Sequence, residues 1–171
     1  GILLEYQSYA LSNSKTVLNN QLHNITKHNS GEANIAMIGA GNYSTTMLIP
    51  MLKKTNAKLK TIVSKKGLSG WHAARKFGFE KSSTSVSETL EDPSINVAVI
   101  ATRHDKHFDL VKLALQKGKH VFVEKPLCLT SQELSDLKNT YYSLDKKPIL
   151  MVGFNRRFSP FISKLKQSIY Q

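Results

Sequence analysis

The sequence predicts an α/β protein with a doubly wound parallel sheet (a Rossmann fold), and three observations support this class. Short apolar segments alternate with helical ones along residues 34–152, the order of a parallel sheet covered by helices. Residues Val97–Ala101 are apolar throughout, as a strand buried on both faces requires. A glycine-rich turn, Gly39–Gly41, joins the first strand to a helix. Because crossovers are right-handed, helices are expected on both faces.

The strands and helices can be assigned in order from residue 34. Predicted strands cover residues 35–38, 59–64, about 79–82, 97–101, 120–123 and 148–152. Predicted helices cover residues 43–54, 68–77, 87–91, 105–117 and 130 to about 144. Pro50 should kink the first helix or mark its last turn. Gly78 and Gly118 end two helices, and Thr130 with Glu133 predicts a capping box.

The first thirty residues differ in composition from the rest of the chain. Residues 2–6 fit a short strand, and residues 8–30 are rich in Ser, Asn, Gln and Thr. Val17, Leu18, Leu22 and Ile25 have roughly helical spacing, which predicts a weak amphipathic helix.

Composition limits the class of protein. The 171 residues, 40% of them hydrophobic, suit one domain of ordinary size with a sizeable core. No apolar run approaches the roughly 20 residues of a membrane span. A single cysteine, Cys128, excludes an intrachain disulfide and a cysteine-rich zinc site. We therefore expect a cytoplasmic protein without a membrane span.

The net charge of +12 raises the question of an anionic partner. The basic residues are dispersed along the chain, and no zinc-finger or RNP pattern is present. A solvated lysine-rich surface explains most of them, so nucleic acid is not an expected partner. A basic nucleic-acid-binding domain is the weakest of the alternatives.

The turn Gly39-Ala40-Gly41-Asn42-Tyr43-Ser44 has the composition of a phosphate-binding loop. The first glycine permits a tight turn, and the second lets the backbone approach a pyrophosphate. The following helix N-terminus offers N–H groups to an anion. Ser44 replaces the third glycine, at a position that serves helix–strand packing. An ordinary turn without a ligand is the alternative, but the strand before it and the helix after it provide the required context.

The end of the second predicted strand discriminates between NAD and NADP. Domains that bind NAD place an Asp or Glu there, which hydrogen-bonds the ribose 2′-hydroxyl. Here Ser64, Lys65 and Lys66 follow the strand, and no carboxylate is present. These side chains suit the 2′-phosphate of NADP, so NADP is slightly favoured over NAD. A solvated lysine turn is the alternative.

A charged pair, Glu124-Lys125, ends the strand that starts at His120 and is followed by Pro126. Ligands bind at the carboxyl ends of parallel strands, so this pair can meet a substrate. The alternative is a surface ion pair worth under ~1 kcal/mol. His104 and His107 have a spacing that a metal site could use, but no third ligand is evident, so no metal is expected.

With Ile38–Ser44, Ala101–His107 and Glu124–Pro126 in this order, the chain resembles the Gfo/Idh/MocA oxidoreductases over about residues 33–160. This resemblance implies an NAD(P)-binding Rossmann domain. It also implies an NAD(P)-dependent oxidoreductase that moves hydride to or from a carbon of a sugar or cyclitol. A non-catalytic dinucleotide-sensing domain is the alternative, but such a domain needs no lysine that faces a substrate.

The resemblance assigns roles to residues of this chain. Lys125 matches the lysine that faces the nicotinamide and the reacting hydroxyl, so it is the expected catalytic residue. Glu124 would orient that lysine and approach the nicotinamide ribose. One of Arg156 and Arg157 is expected to contact pyrophosphate. The expected cofactor-binding residues are Gly39, Gly41, Asn42, Tyr43, Ser44, Ser64, Lys65, Lys66, Ala101, Thr102, Arg103, His104, His107, Glu124, Lys125 and Arg156.

Two departures from the family matter. Arg103-His104 stands where the family often has Pro-Asn, which changes the polar contacts of the cofactor pocket. The family's C-terminal α/β domain, which shapes the substrate pocket and carries the usual acid/base histidine, is missing. We therefore expect this chain to bind dinucleotide with little or no turnover. The full-length protein could form oligomers through the missing sheet.

A subgroup of the family resembles the chain more closely. In these two-part oxidoreductases a zinc-type alcohol dehydrogenase module precedes the Gfo/Idh/MocA module, and residues 152–158 look like their sequences. Residues 1–31 are then expected to be a linker or the tail of a preceding module, and residues 32–160 the NAD(P)-binding domain. Residues 161–171 would start the connection to the missing substrate domain.

Overall fold

The computed structural model describes residues 15–18 and 31–169. Within these ranges seven strands form one sheet in the order β1-β4-β3-β2-β5-β6-β7. The strands are β1 (Thr16–Leu18), β2 (Asn34–Ile38), β3 (Lys58–Val63), β4 (Lys81–Ser83), β5 (Val97–Ile100), β6 (His120–Glu124) and β7 (Leu150–Gly153). Strands β2 to β7 are parallel, and β1 pairs antiparallel with β4. The order from β4 to β7 is that of a doubly wound dinucleotide-binding sheet, which confirms the predicted fold class.

Helices cover both faces of this sheet. The α-helices are α1 (Ile49–Leu52), α2 (Leu68–Phe77), α3 (Val86–Glu91), α4 (His107–Gln116), α5 (Ser131–Ser143) and α6 (Pro160–Ile169). Apolar residues of α1 and α2 pack with β2 and β3 in one core cluster. Residues of α3, α4 and α5 pack with β5 and β6 in a second cluster. No helix in the described ranges has the length and apolar character needed to cross a bilayer.

The predicted helix ends are confirmed where capping chemistry is local. Gly78 and Gly118 follow α2 and α4 with positive φ angles of 83° and 68°, which glycine adopts without strain. Thr130 and Glu133 form the predicted capping box at the start of α5. The predicted strand at residues 79–82 lies one to two residues later, because Phe79 is fully buried in the core before β4 begins.

Two predictions differ from the structure. Val17 and Leu18 belong to β1 rather than to a helix, because the edge of β4 offers backbone partners for an extended segment. Leu22, Ile25 and residues 2–6 lie outside the described residues. The first helix is not a regular α-helix, because a π-helix at Ser44–Leu48 precedes α1, but Pro50 lies in the last turn of the helix as a whole, which was one of the two predicted alternatives. Pro50, which has no N–H to donate, therefore falls in the first turn of α1.

Candidate functional site

The glycine turn after β2 passes tightly between the ends of β3 and β5. Gly39 has a φ of 111°, and its N–H donates to the Val63 carbonyl at 2.9 Å. A Cβ at position 39 would lie 2.4 Å from the carbonyl oxygen of Ala101, so this position requires glycine. A Cβ at Gly41 would meet nothing within 4 Å, so this part of the turn faces open space. Gly39 is thus required by the fold, whereas the backbone at Gly41 is open to a ligand.

The helix that follows the turn starts at Asn42. Thr45 N–H donates to the Gly41 carbonyl at 3.1 Å, and the hydroxyl of Thr46 donates to the Asn42 carbonyl at 2.8 Å. Ser44 is 1% exposed, and its hydroxyl has no hydrogen-bond partner among the described residues. Ser44 is therefore buried, as a residue that serves helix–strand packing would be, while Asn42 and Tyr43 are exposed.

The polar residues after β3 divide into two kinds. Ser64 is buried, and its hydroxyl oxygen accepts the N–H of Gly70 in the first turns of α2 at 2.9 Å. A Cβ at Gly70 would lie 2.7 Å from that oxygen, so serine and glycine fit together there. The oxygen of the Ser64 hydroxyl thus holds the start of α2, and its O–H group remains able to donate. Lys65 and Lys66 are exposed and make no ion pair within the described residues.

A cavity of about 230 Å³ lies where the carboxyl ends of the central strands meet. It gathers residues from four connections: the turn after β2, the loop after β5, the end of β6 and the segment after β7. Its lining residues are Tyr43, Ala101, Thr102, His104, His107, Glu124, Lys125 and Asn155. Since parallel strands end at the same edge, the structure brings together residues that are up to 112 positions apart.

The charged pair at the end of β6 is not an ion pair. Lys125 is exposed, Glu124 is partly buried, and no contact within 4.0 Å joins their charged atoms in the described structure. The carboxylate of Glu124 lies instead over Gly153, where an added Cβ would be 2.9 Å from Oε1. The alternative of a surface ion pair between Glu124 and Lys125 is therefore not what the structure shows, and the orienting role of Glu124 stays a prediction. The ammonium group of Lys125 is left for another partner.

The two histidines of the loop after β5 differ in burial. His107 is 0% exposed, with Nδ1 2.6 Å from the Pro126 carbonyl and Nε2 3.3 Å from the Thr102 carbonyl. Both of its ring nitrogens therefore face the backbone. His104 is exposed and stacks edge-on against His107 with ring centroids 5.6 Å apart, and Arg103 is also exposed.

Asn155 is a cavity residue that the sequence did not single out. Its amide donates to the hydroxyl of Tyr43 at 3.2 Å, so the segment after β7 reaches the glycine turn. Arg156, which the sequence did single out, lines a neighbouring cavity of about 320 Å³ together with Lys125. Two signals were available: the resemblance over residues 152–158, and the position of Asn155 as the second residue after β7 ends at Gly153.

Metal ligands and a reactive thiol are two further features that a site in the described residues could use. No group of three or more His, Cys, Asp or Glu residues in the described ranges could hold a metal ion. Burial raises the pKa of the Cys128 thiol, and the charge of Glu133 raises it further. The thiolate, which is the reactive form of cysteine, is therefore disfavoured.

Three comparisons with known proteins agree on the type of domain. The family described as "Oxidoreductase family, NAD-binding Rossmann fold" (GFO_IDH_MocA) matches residues 33–154. Levoglucosan dehydrogenase of Pseudarthrobacter phenanthrenivorans is 37% identical over 97 residues, which are 57% of this chain and 24% of that protein. The scyllo-inositol 2-dehydrogenase (NAD(+)) of Bacillus subtilis is 38% identical over 96 residues, 56% of this chain and 28% of that protein.

A solved structure extends the likeness to the fold. Myo-inositol dehydrogenase from Lactobacillus casei, in complex with NAD(H) and myo-inositol, superposes with a TM-score of 0.75 at 25% identity. The superposition covers 81% of this chain and 41% of that one. The chain therefore spans well under half the length of the relatives that it matches.

Proposed function

Because this chain belongs to the Gfo/Idh/MocA oxidoreductase family, with its NAD-binding Rossmann fold, we propose that it is the dinucleotide-binding domain of a sugar or cyclitol dehydrogenase. The observation that carries the proposal is the cavity at the carboxyl edge of the sheet. There the glycine turn and the loop after β5 meet the ammonium group of Lys125, which makes no ion pair with any residue that the structure describes. Two of the relatives with matching sequences are dehydrogenases of levoglucosan and scyllo-inositol, which supports a polyhydroxylated cyclic substrate.

The residues around the glycine turn fit the diphosphate of a dinucleotide. The backbone at Gly41 faces open space, and the helix that starts at Asn42 presents its N-terminus to the same space. Ala101 and Thr102 would form the wall of the cavity next to the cofactor. Tyr43, which follows the glycine turn and also lines the cavity, would lie between the diphosphate and the rest of the cofactor. When bound, NAD(P) accepts or donates the hydride at its nicotinamide ring.

Lys125 would act on the substrate. Its ammonium group stands at the boundary of the two neighbouring cavities and makes no ion pair within the described residues. A lysine there can hydrogen-bond the oxygen of the reacting C–O group and hold it in place for hydride transfer. Glu124, directed over Gly153, would face the nicotinamide ribose rather than the lysine.

The preference for NADP rests on Lys65 and Lys66. Both side chains are exposed directly after β3 and have no acidic neighbour in contact within the described structure. They would bind the 2′-phosphate, while Ser64 holds α2 in position. Arg103, exposed after β5, would add to the positive charge around the adenosine end.

The remaining parts of the proposal concern the protein beyond this chain. We propose that a substrate domain supplies the principal acid/base, so that the 171-residue chain binds dinucleotide without turnover. The greater length of the relatives supports this division. Residues 1–31 would be a linker or the tail of a preceding zinc-type alcohol dehydrogenase module. Steady-state oxidation of a polyol by this chain alone would contradict the division.

The test is a calorimetric titration of the chain with NADPH and with NADH. We expect NADPH to bind more tightly, and the double variant Lys65→Ala/Lys66→Ala to lose about tenfold in NADPH affinity while NADH affinity stays the same. The control is Lys53→Ala/Lys54→Ala, which removes the same charge from exposed residues after α1. Equal binding of both cofactors would remove the NADP preference, and binding of neither would contradict the proposed function.

A further inference from the structure

A buried histidine joins the two loops that form the cavity. His107 starts α4, is 0% exposed, and lies between backbone carbonyls of two different loops. One carbonyl belongs to Thr102 in the loop after β5, and the other belongs to Pro126 in the loop after β6. The loop after β5 contains Ala101 and Thr102, which line the cavity, and the loop after β6 contains Lys125.

The chemistry of the ring indicates which contact is a hydrogen bond. A carbonyl oxygen can only accept, and a neutral imidazole has one N–H to donate. Of the two distances, 2.6 Å from Nδ1 to Pro126 is that of a strong bond, whereas 3.3 Å from Nε2 to Thr102 is long. The geometry therefore assigns the proton to Nδ1, and His107 donates to the Pro126 carbonyl.

This bond stands at a place where the sheet has already ended. The ladder between β5 and β6 ends at Ile100 and Val123, and β6 pairs one residue further, through Glu124 with Gly153 of β7, so Thr102 and Pro126 lie beyond the paired residues. Among the residues that the structure describes, no other hydrogen bond links the loop after β5 with the loop after β6. Lys125 thus lies between Glu124, which pairs with Gly153 of β7, and Pro126, whose carbonyl the imidazole holds.

We propose that His107 is a positioning residue, which sets the width of the dinucleotide cleft by holding the Lys125 loop through the Pro126 carbonyl. This role rests on the proposed function, and it replaces the direct cofactor contact that the sequence suggested for His107. The ring has no free nitrogen to offer a ligand, since each one faces a carbonyl. Its effect on binding is transmitted through the backbone.

Three variants of the full 171-residue chain separate this role from simple packing. In His107→Asn the side-chain amide can occupy the position of Nδ1 and donate to Pro126. In His107→Gln the amide reaches the position of Nε2 instead, and in His107→Leu no donor remains. We expect NADPH affinity to fall about fivefold to tenfold in the Leu and Gln variants and to stay within about threefold in the Asn variant.

A stability control shows whether lower affinity merely follows lower stability. Asn96→Ala, at the opposite end of the sheet, removes two hydrogen bonds to backbone groups and should leave NADPH affinity unchanged. If His107→Leu does not fold, the comparison of the Asn and Gln variants decides. Equal affinities of those two variants, or wild-type affinity of a folded Leu variant, would overturn the proposal.

The tautomer can be measured independently of any ligand. Long-range ¹H–¹⁵N correlation of the His107 ring should show the proton on Nδ1 at neutral pH, and a proton on Nε2 alone would overturn the proposal. If the wild-type chain binds neither NADPH nor NADH, the proposed function fails. The tautomer then still decides whether His107 holds the Pro126 loop.

Discussion

The two ends of the sheet use their polar residues in opposite ways. At the amino end, the side chain of Asn96 accepts the N–H of Asn34 at 2.8 Å and donates to the Glu32 carbonyl at 2.8 Å. Lys119 is buried there and donates to the carbonyls of Asp92 and Ile95 at 3.0 and 2.8 Å. These polar groups stabilise the fold by satisfying backbone atoms.

At the carboxyl end the charged side chains of the candidate site are less constrained. Lys125 and Arg156 are exposed, and neither makes an ion pair within the described part of the chain. Buried groups there, such as His107, hold backbone and leave the exposed charges available. The difference teaches that a polar residue bonded to backbone supports the fold, whereas an unpaired one in a cavity is a candidate for binding.

The largest expected effect comes from the glycine turn. Gly39→Ala would place a methyl group 2.4 Å from the Ala101 carbonyl oxygen at a φ of 111°, so we expect a loss of roughly 3 kcal/mol in the free energy of unfolding. Gly41→Ala is the control, because its Cβ meets nothing within 4 Å. Urea unfolding should leave Gly41→Ala within about 0.5 kcal/mol of wild type, while calorimetry should show weaker NADPH binding. A stable Gly39→Ala would contradict the tight approach.

At the amino end, Asn96→Ala should change stability and not binding. The variant loses two hydrogen bonds to backbone groups, at about 1 kcal/mol each, so we expect a loss of about 2 kcal/mol by urea unfolding. NADPH affinity should stay within about twofold. Asn56→Ala, an exposed position after α1, is the matched control and should change neither quantity. A loss of affinity in Asn96→Ala would remove the distinction between the two ends.

The pH dependence of stability should reflect Asp92. Burial alone would raise the pKa of this carboxyl, but hydrogen bonds from Ser94 and Lys81 outweigh burial and hold the pKa below its usual range. Because the pKa is lower in the folded state, the stabilisation is present above about pH 4 and is lost as the pH falls further. Wild type should therefore lose more stability than Asp92→Asn between about pH 6 and about pH 3, by under ~1 kcal/mol. Asp109→Asn, an exposed change on α4, is the control, and equal slopes for all three proteins would contradict the assignment.

The smallest expected effect on stability belongs to Lys125. Its side chain is exposed and makes no ion pair in the described structure, so Lys125→Met should unfold within about 0.5 kcal/mol of wild type. Loss of one positive charge from the lining of the proposed cofactor cavity should lower NADPH affinity about threefold to fivefold. Lys106→Met, exposed before α4, serves as the charge control. A marked loss of stability in Lys125→Met would place this lysine among the residues that hold the fold.

The sequence by itself determined the fold class and the edge of the sheet at which the candidate site was predicted. Apolar periodicity, the glycine turn and the capping residues act over a few neighbouring positions, and such signals are visible in one sequence. Strands β2 to β7, the ends of α2 and α4 and the capping box of α5 were predicted for this reason. The same logic placed Tyr43, Thr102 and Lys125 together, since parallel strands end at one edge.

Only the tertiary structure decided which polar residues are engaged and with whom. β1 depends on pairing of Thr16 with Ser83, 67 positions away, and the contact of Asn155 with Tyr43 spans 112 positions. The burial of Ser64 and His107, and the absence of an ion pair between Glu124 and Lys125 in the described structure, follow from how loops meet after the strands end. A hydrogen bond between distant residues has no local pattern in the sequence, because its partners are brought together only by folding.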